Sequence, residues 1–142
     1  MRNLIDTNVL LEIILNQPRA EECKSLLSTN AENDFSLTDF SLHSIGLSLF
    51  RQKRQDAFSV FLKDMFVEAG LNIVALSEED MDLVVQHSRK FNLDFDDAYQ
   101  YVTPERHDLV IVSFDRDFDH TERGRKTPAD VLAQSQSTSS NN

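Results

Sequence analysis

Cysteine, glycine, proline and basic residues are all scarce in this sequence. One cysteine, Cys23, among 142 residues excludes an intramolecular disulfide and any cysteine-based zinc cage. Three glycines leave no room for a phosphate-cradling Gly-rich loop: neither a Walker A motif nor G-x-G-x-x-G is present, and G-x-S-x-G is absent as well. No apolar run approaches the ~18 uninterrupted residues of a membrane helix. The opening "MRNLIDTNVLLEIILN" has the outline of a signal peptide, but Asp6 and Glu12 interrupt it and no small-residue cleavage site follows. The expectation is a soluble, cytoplasmic protein with no membrane association. Lys and Arg number 14 against 24 Asp and Glu, giving a formal charge of −10, which disfavours non-specific binding to a polyanion. It leaves open an acidic site neutralised by metal ions. Part of the charge, such as Glu21, Glu22, Glu78 and Glu79, is read as a solvated surface.

What is present is periodicity. Hydrophobic content of 40% with ten Phe, in a chain of single-domain length, argues for one globular core. Short apolar runs, "NLID", "DFSL", "LNIVAL" and "DLVIVSFD", read as strands. Between them lie helical patterns. Val9, Leu10, Ile13 and Ile14 share a face before Pro18, and Cys23, Leu26 and Leu27 share a stripe. Phe40 to Gln52 reads as a helix apolar nearly all round, packed on most sides. "DAFSVFLKDMFVEAG" ends on a capping Gly70, and Ser77 with Asp80 opens a further helix by a near capping box. "DFDDAYQYVTPER" is a helix with three aspartates in its first turns, and a last helix starts near Pro128. Strands alternating with helices predict an α/β fold, a central parallel β-sheet flanked by helices on both faces in three layers. One domain over residues 1–134 is expected, followed by a disordered polar tail, 135–142.

In such a sheet, ligands collect beyond the carboxyl ends of the strands. Asp6 and Asp115 each end a strand there, and Asp94, Asp96 and Asp97 open a helix that leads back into the sheet. Singly, each has a bland reading as a helix cap or a partner of the helix dipole. Together, several carboxylates at one rim repel one another unless a cation sits among them, and an oxygen-only set suits Mg²⁺ or Mn²⁺ better than zinc. His87, His107 and His120 show no zinc-like spacing. Two other aspartate-based phosphoryl-transfer folds fit poorly. Asn8 stands where a dehalogenase-like phosphatase has its second Asp, and "NIVALSEED" lacks the strand-end Asp of a receiver domain.

The segments "LIDTNVLLEIIL", "LDFDDAYQY" and "VIVSFDRDFD" resemble the acidic segments of the PIN domain family, which includes VapC-like ribonuclease toxins of bacterial toxin–antitoxin pairs. The resemblance spans Leu4 to about Leu132. It implies a metal-dependent endoribonuclease with Asp6, Asp97 and Asp115 as catalytic and metal-binding acids, and Mg²⁺ or Mn²⁺ as cofactor. Asn8, Ser113 and Asp117 would be auxiliary. It also implies an RNA substrate, a possible antitoxin partner whose Arg or Lys enters the acidic pocket, and a homodimer. The family usually carries a glutamate early in the helix after the second strand, and none lies between Phe35 and Phe50. Leu42, His43 and Ser44 fill the candidate turn; Asp39 is read as the cap, and His43 as an interior residue or a substitute ligand. The departure predicts one firm metal site with a weak second. It also supports an alternative: a catalytically weak or inactive PIN-like domain acting as a protein- or RNA-binding module. Arg51, Lys53 and Arg54, and the set Arg116, Arg123, Arg125 and Lys126, are candidate contacts to the RNA backbone, or else solvated helix ends.

Overall fold

The first strand, β1 (Arg2–Ile5), is buried from Asn3 onward and lies near the middle of a four-stranded sheet. A computed structural model of the chain describes residues 2–140, with side chains to residue 135. β2 (Asp34–Thr38), β3 (Asn72–Val74) and β4 (Val110–Val112) complete the sheet in the order β3-β2-β1-β4, and every pairing is parallel. In register, Leu4 faces Ser36 and Ile5 faces Val112. The continuous apolar runs follow from that placement, because a parallel strand is covered on both faces.

Seven helices cover the sheet among the described residues: α1 (Thr7–Ile14), α2 (Ala20–Leu27), α3 (Asp39–Arg51), α4 (Gln55–Leu62), α5 (Met81–Phe91), α6 (Phe95–His107) and α7 (Pro128–Ser140). Successive strand residues point to opposite faces. Val112 accordingly joins Ile5, Phe35 and Leu37 in a core with Val9, Leu10, Cys23, Leu26, Ile45, Leu49, Phe61 and Val131. Ile111 points the other way, into a core with Val84, Phe91, Ala98, Tyr101 and Val102 of α5 and α6. The result is the three-layer arrangement expected from the sequence.

Helix ends follow local chemistry. The reciprocal Ser77–Asp80 capping box is formed and opens a 3₁₀ turn that runs into α5. α4 passes into a π-helical turn over Lys63–Glu68, and Gly70 at φ +70° ends it while the Leu71 N–H reaches back to the Met65 carbonyl.

Two expectations change. The N-cap of α3 is Thr38, whose hydroxyl accepts the Ser41 N–H at 2.8 Å, and not Asp39. α3 is buried along one stripe, Ser41, Ile45 and Leu49, while Leu47 and Phe50 are each 53% exposed, so the helix is not packed on most sides. α7 is described to Ser140. Asn33 donates to the Ser135 hydroxyl there at 3.2 Å, and residues 141–142 lie outside the described residues.

Candidate active site

The in-register pair Ile5–Val112 sets the following residues, Asp6 and Ser113, side by side where β1 and β4 end. Asp6 N-caps α1 through a 2.8 Å bond from the Thr7 N–H, and its carboxylate also accepts the Ser113 hydroxyl at 2.6 Å. Ser113 Oγ in turn accepts the Asp115 N–H at 2.9 Å. Asn8 bridges the two strand ends: its amide donates to Ser113 Oγ at 3.2 Å and to Asp6 Oδ2 at 3.4 Å, and its carbonyl accepts the Phe114 N–H at 3.3 Å. Asp115 N-caps a 3₁₀ turn, Arg116–His120, by accepting the Asp117 N–H at 2.9 Å.

The third element is the start of α6. Asp94 caps it by accepting the Asp97 N–H at 2.9 Å, which presents the Asp97 side chain to the same rim. One oxygen from each of Asp97, Asp115 and Asp117 lies within 4.8 Å of the other two, and this spacing can hold a divalent ion. Among the described residues Asp6 is not part of that convergent group, although its charge is felt by Asp97. Burial, followed by the charges of Asp115, Asp94, Asp6 and Asp117, raises the Asp97 carboxyl to about 7. Burial also raises the Asp6 carboxyl, against the pull of its bonds from Ser113, Gln100 and Thr7. A set of carboxylates in which one is half protonated at neutral pH is a site that gains from a cation.

Four of the sequence candidates, Asp6, Asn8, Ser113 and Asp115, form one hydrogen-bonded group, and Asp97 and Asp117 stand beside it. His43 does not join them. It is exposed, on the face of α3 shared with Leu42, Gly46, Leu47 and Phe50, so it is neither an interior residue nor placed against the carboxylates. Asp96 is exposed, and Asp94 is occupied as a cap.

The residue of α3 that enters the site is Ser41, one position before the turn singled out from the sequence. Ser41 Oγ lies 2.7 Å from Thr7 Oγ1 and accepts from the Gln100 amide at 3.0 Å. Gln100, only 3% exposed, was missed altogether, although it lies three residues after Asp97 and so on the same helix face. It also donates to Asp6 Oδ1 at 2.9 Å and accepts the Thr38 hydroxyl at 2.8 Å.

Three of the basic candidates have structural partners: Arg54 Nε lies 3.7 Å from Asp56 Oδ1, and the other two are held more closely. Arg123 donates to the Leu109 carbonyl at 2.9 Å, and Arg125 grips Asp119 through two nitrogens while donating to the Ser113 carbonyl at 2.9 Å. Arg116 remains exposed between Asp115 and Asp117. His107 and His120 each contact a backbone carbonyl, of Ala75 and Phe91, and His87 sits 2.9 Å from Glu105.

A family model described as PIN domain matches residues 4–124. Nothing among curated proteins matches the sequence. Several solved structures share the fold, among them the following three. One, described as a toxin–antitoxin complex from Klebsiella pneumoniae, superposes at a TM-score of 0.67 with 19% identity, covering 89% of this chain and 97% of that one. PAE2754 from Pyrobaculum aerophilum gives 0.66 and 18%, covering 96% and 99%. VapBC2 from Rickettsia felis, bound to a DNA fragment from its promoter, gives 0.71 and 12%, covering 89% and 97%.

Proposed function

Since the chain belongs to the PIN domain family, we propose that it is a divalent-ion-dependent endoribonuclease and the toxin of a toxin–antitoxin pair. Nuclease activity is general in the family, and a divalent ion is its typical cofactor. The observation that carries the reading is the convergence of Asp97, at the start of α6, with Asp115 and Asp117, on the turn that follows β4, where burial and the neighbouring charges raise the Asp97 carboxyl. Those oxygens suit Mg²⁺ or Mn²⁺, with Asp6 as the buried anion behind them. A bound ion would supply Lewis-acid stabilisation of charge on the phosphoryl oxygens. Without an ion the Asp97 carboxyl is pushed up to about 7, first by burial and then by the neighbouring carboxylates, and a bound cation would draw it back down. Ser113 and Asn8 hold the two strand ends in register, and Arg116 is the cation best placed to meet an RNA phosphate.

An antitoxin would supply an Arg or Lys to the acidic pocket, where a guanidinium finds paired carboxylates. The groove of about 310 Å³ lined by Leu42, His43, Gly46, Leu47, Phe50 and Phe58 offers apolar surface for such a partner or for a second copy of the chain. Among the described residues no helix is long and apolar enough to cross a membrane, and a nuclease acting on cellular RNA works in the cytoplasm.

The test is cleavage of labelled single-stranded RNA with Mn²⁺ or Mg²⁺, with and without chelator. Wild type cuts, chelator stops it, and Asp97→Asn and Asp115→Asn lose activity by about 100-fold or more. An intact fold that cuts nothing with any ion, or variants as active as wild type, overturns the reading. A second reading, a PIN fold kept as a binding module, is favoured by one observation: the first turn of α3 offers the hydroxyl of Ser41 to the site, while its carboxylate, Asp39, accepts the Phe40 N–H and the Tyr99 hydroxyl.

A further inference from the structure

The start of α6 carries two kinds of side chain. Asp97 turns to Asp115 and Asp117, while Phe95, two residues earlier and so on a different side of the helix, turns to α3. There its ring meets Phe40 edge-on, with centroids 6.2 Å apart, and Tyr99 at 6.1 Å; Phe40 and Tyr99 are 5.7 Å apart. The Tyr99 hydroxyl is fixed twice, donating to Asp39 Oδ1 at 2.8 Å and accepting the Leu76 N–H at 3.0 Å. None of the three rings belongs to either core, and Phe95 is 53% exposed, between the exposed Asp94 and Asp96. Phe40 adjoins Ser41, which reaches Thr7 and Gln100, so the rings border the same rim as the acids. An aromatic ring held rigidly from behind and open in front suits a flat π-system. A protein surface laid over it would have to cover Asp94 and Asp96 as well, and so take two charges out of water. A nucleobase needs only the ring face, and stacking is a contact that an acidic rim permits with a polyanion.

We propose that Phe95, backed by Phe40 and Tyr99, stacks on a nucleobase next to the phosphodiester held at the acidic rim, so that the preferred substrate is unpaired RNA. The inference rests on the nuclease reading for the presence of RNA and deepens it. The end of α6 stands between acids and rings. A strand passing over it brings a phosphate to one side and a neighbouring base to the other. Bases in a duplex are stacked on one another and offer no free face, whereas an unpaired base does. Every base has a π-face, so the ring selects strandedness and not sequence.

The test is binding of the full chain, in Ca²⁺, to a short single-stranded RNA carrying the fluorescent base 2-aminopurine at successive positions. Stacking on a ring quenches that base, so wild type quenches it at one position. Phe95→Ala binds about tenfold more weakly and loses the quench. Phe95→Leu keeps apolar bulk without a π-face and behaves like the alanine variant, while Phe95→Trp restores affinity and quench together. All three variants keep the wild-type melting behaviour, because the ring lies outside both cores, and they take up Mn²⁺ as wild type does. Annealing the RNA to its complement removes the difference between wild type and Phe95→Ala. A quench at no position, or Phe95→Leu binding RNA as tightly as wild type, overturns the proposal. So does a Phe95→Ala variant that turns a dimer into a monomer in sedimentation while its RNA affinity stays unchanged, which assigns the ring to a second copy of the chain. The two readings fail separately. A wild type that quenches the stacked base and cuts no RNA with any ion refutes the nuclease and leaves the platform. A wild type that cuts single and double strands alike, with Phe95→Ala equally active, does the reverse.

Discussion

Replacing Asp97 by Asn is expected to stabilise the ion-free protein and to destroy its response to the ion. In the folded chain the Asp97 carboxyl is raised from 3.8 to about 7, first by burial and then by the charges of Asp115, Asp94, Asp6 and Asp117. Between those two values the folded protein keeps a proton that the unfolded chain releases. Stability therefore falls as pH rises through the window, and the whole penalty is present above about 7. Each pH unit between the two values corresponds to ~1.4 kcal/mol. Asp97 stands partly open at the rim, and allowance for solvent screening reduces the total to about 1–3 kcal/mol. Asn has no charge to remove from water. In chelator at pH 8.5 the variant should melt higher, by roughly 3–5 °C for each kcal/mol in a chain of this size, and the gap should narrow steadily towards pH 5. In Mg²⁺ the order should invert, because only wild type gains about 4.1 kcal/mol at an ion concentration 1,000 times the dissociation constant. Thermal unfolding followed by circular dichroism at several pH values, with and without Mg²⁺, reads all of this. A variant that melts at or below wild type in chelator at pH 8.5, or a gap that widens as pH falls, refutes the argument.

Arg125→Ala removes the forked grip on Asp119 and the bond to the Ser113 carbonyl, and should cost about 1–3 kcal/mol of stability by urea unfolding; a neutral result would make Arg125 available to RNA after all. His43→Ala should leave Mn²⁺ affinity and RNA cleavage within about twofold of wild type, since the ring lies on the exposed groove of α3, and a tenfold loss in ion affinity would put it at the site. Leu49→Ala empties a fully buried position on α3 and should lower unfolding free energy by about 2–5 kcal/mol, with RNA cleavage by the folded fraction retained.

Strand and helix identity was legible because each apolar run has one explanation in a parallel sheet. "VIV" of β4 is buried on both sides, and only a strand covered by helices on both faces requires that. The burial of α3 was not legible, for a related reason. An apolar residue is compatible with either burial or a docking surface, so Leu47 and Phe50 read as core although each is half exposed. The register of α3 was misread by one residue because Asp39 and Thr38 are both good caps. The choice of Thr38 turns Ser41, and not Leu42 or His43, towards Asp6. Gln100 carried a weaker signal still. Glutamine has no charge to mark it, and only its distance of three residues from Asp97 placed it on the same face.

The sequence also invited a false choice, in which each aspartate was either a helix cap or part of a site. Asp6, Asp94 and Asp115 all cap helical turns, and Asp6 and Asp115 also belong to the acidic rim. Capping does not compete with function; it uses lone pairs, and the number used sorts the acids by what is left. Asp6 accepts three donors at 2.6–2.9 Å and a fourth at 3.4 Å, while Asp115 gives one oxygen to the Asp117 N–H and keeps the other for the rim. Asp97 is itself oriented by another residue's cap, so its carboxylate projects forward, where burial and then the neighbouring carboxylates raise its pKa. The acids one turn further out, held by fewer bonds and repelling one another, have oxygens to offer a cation.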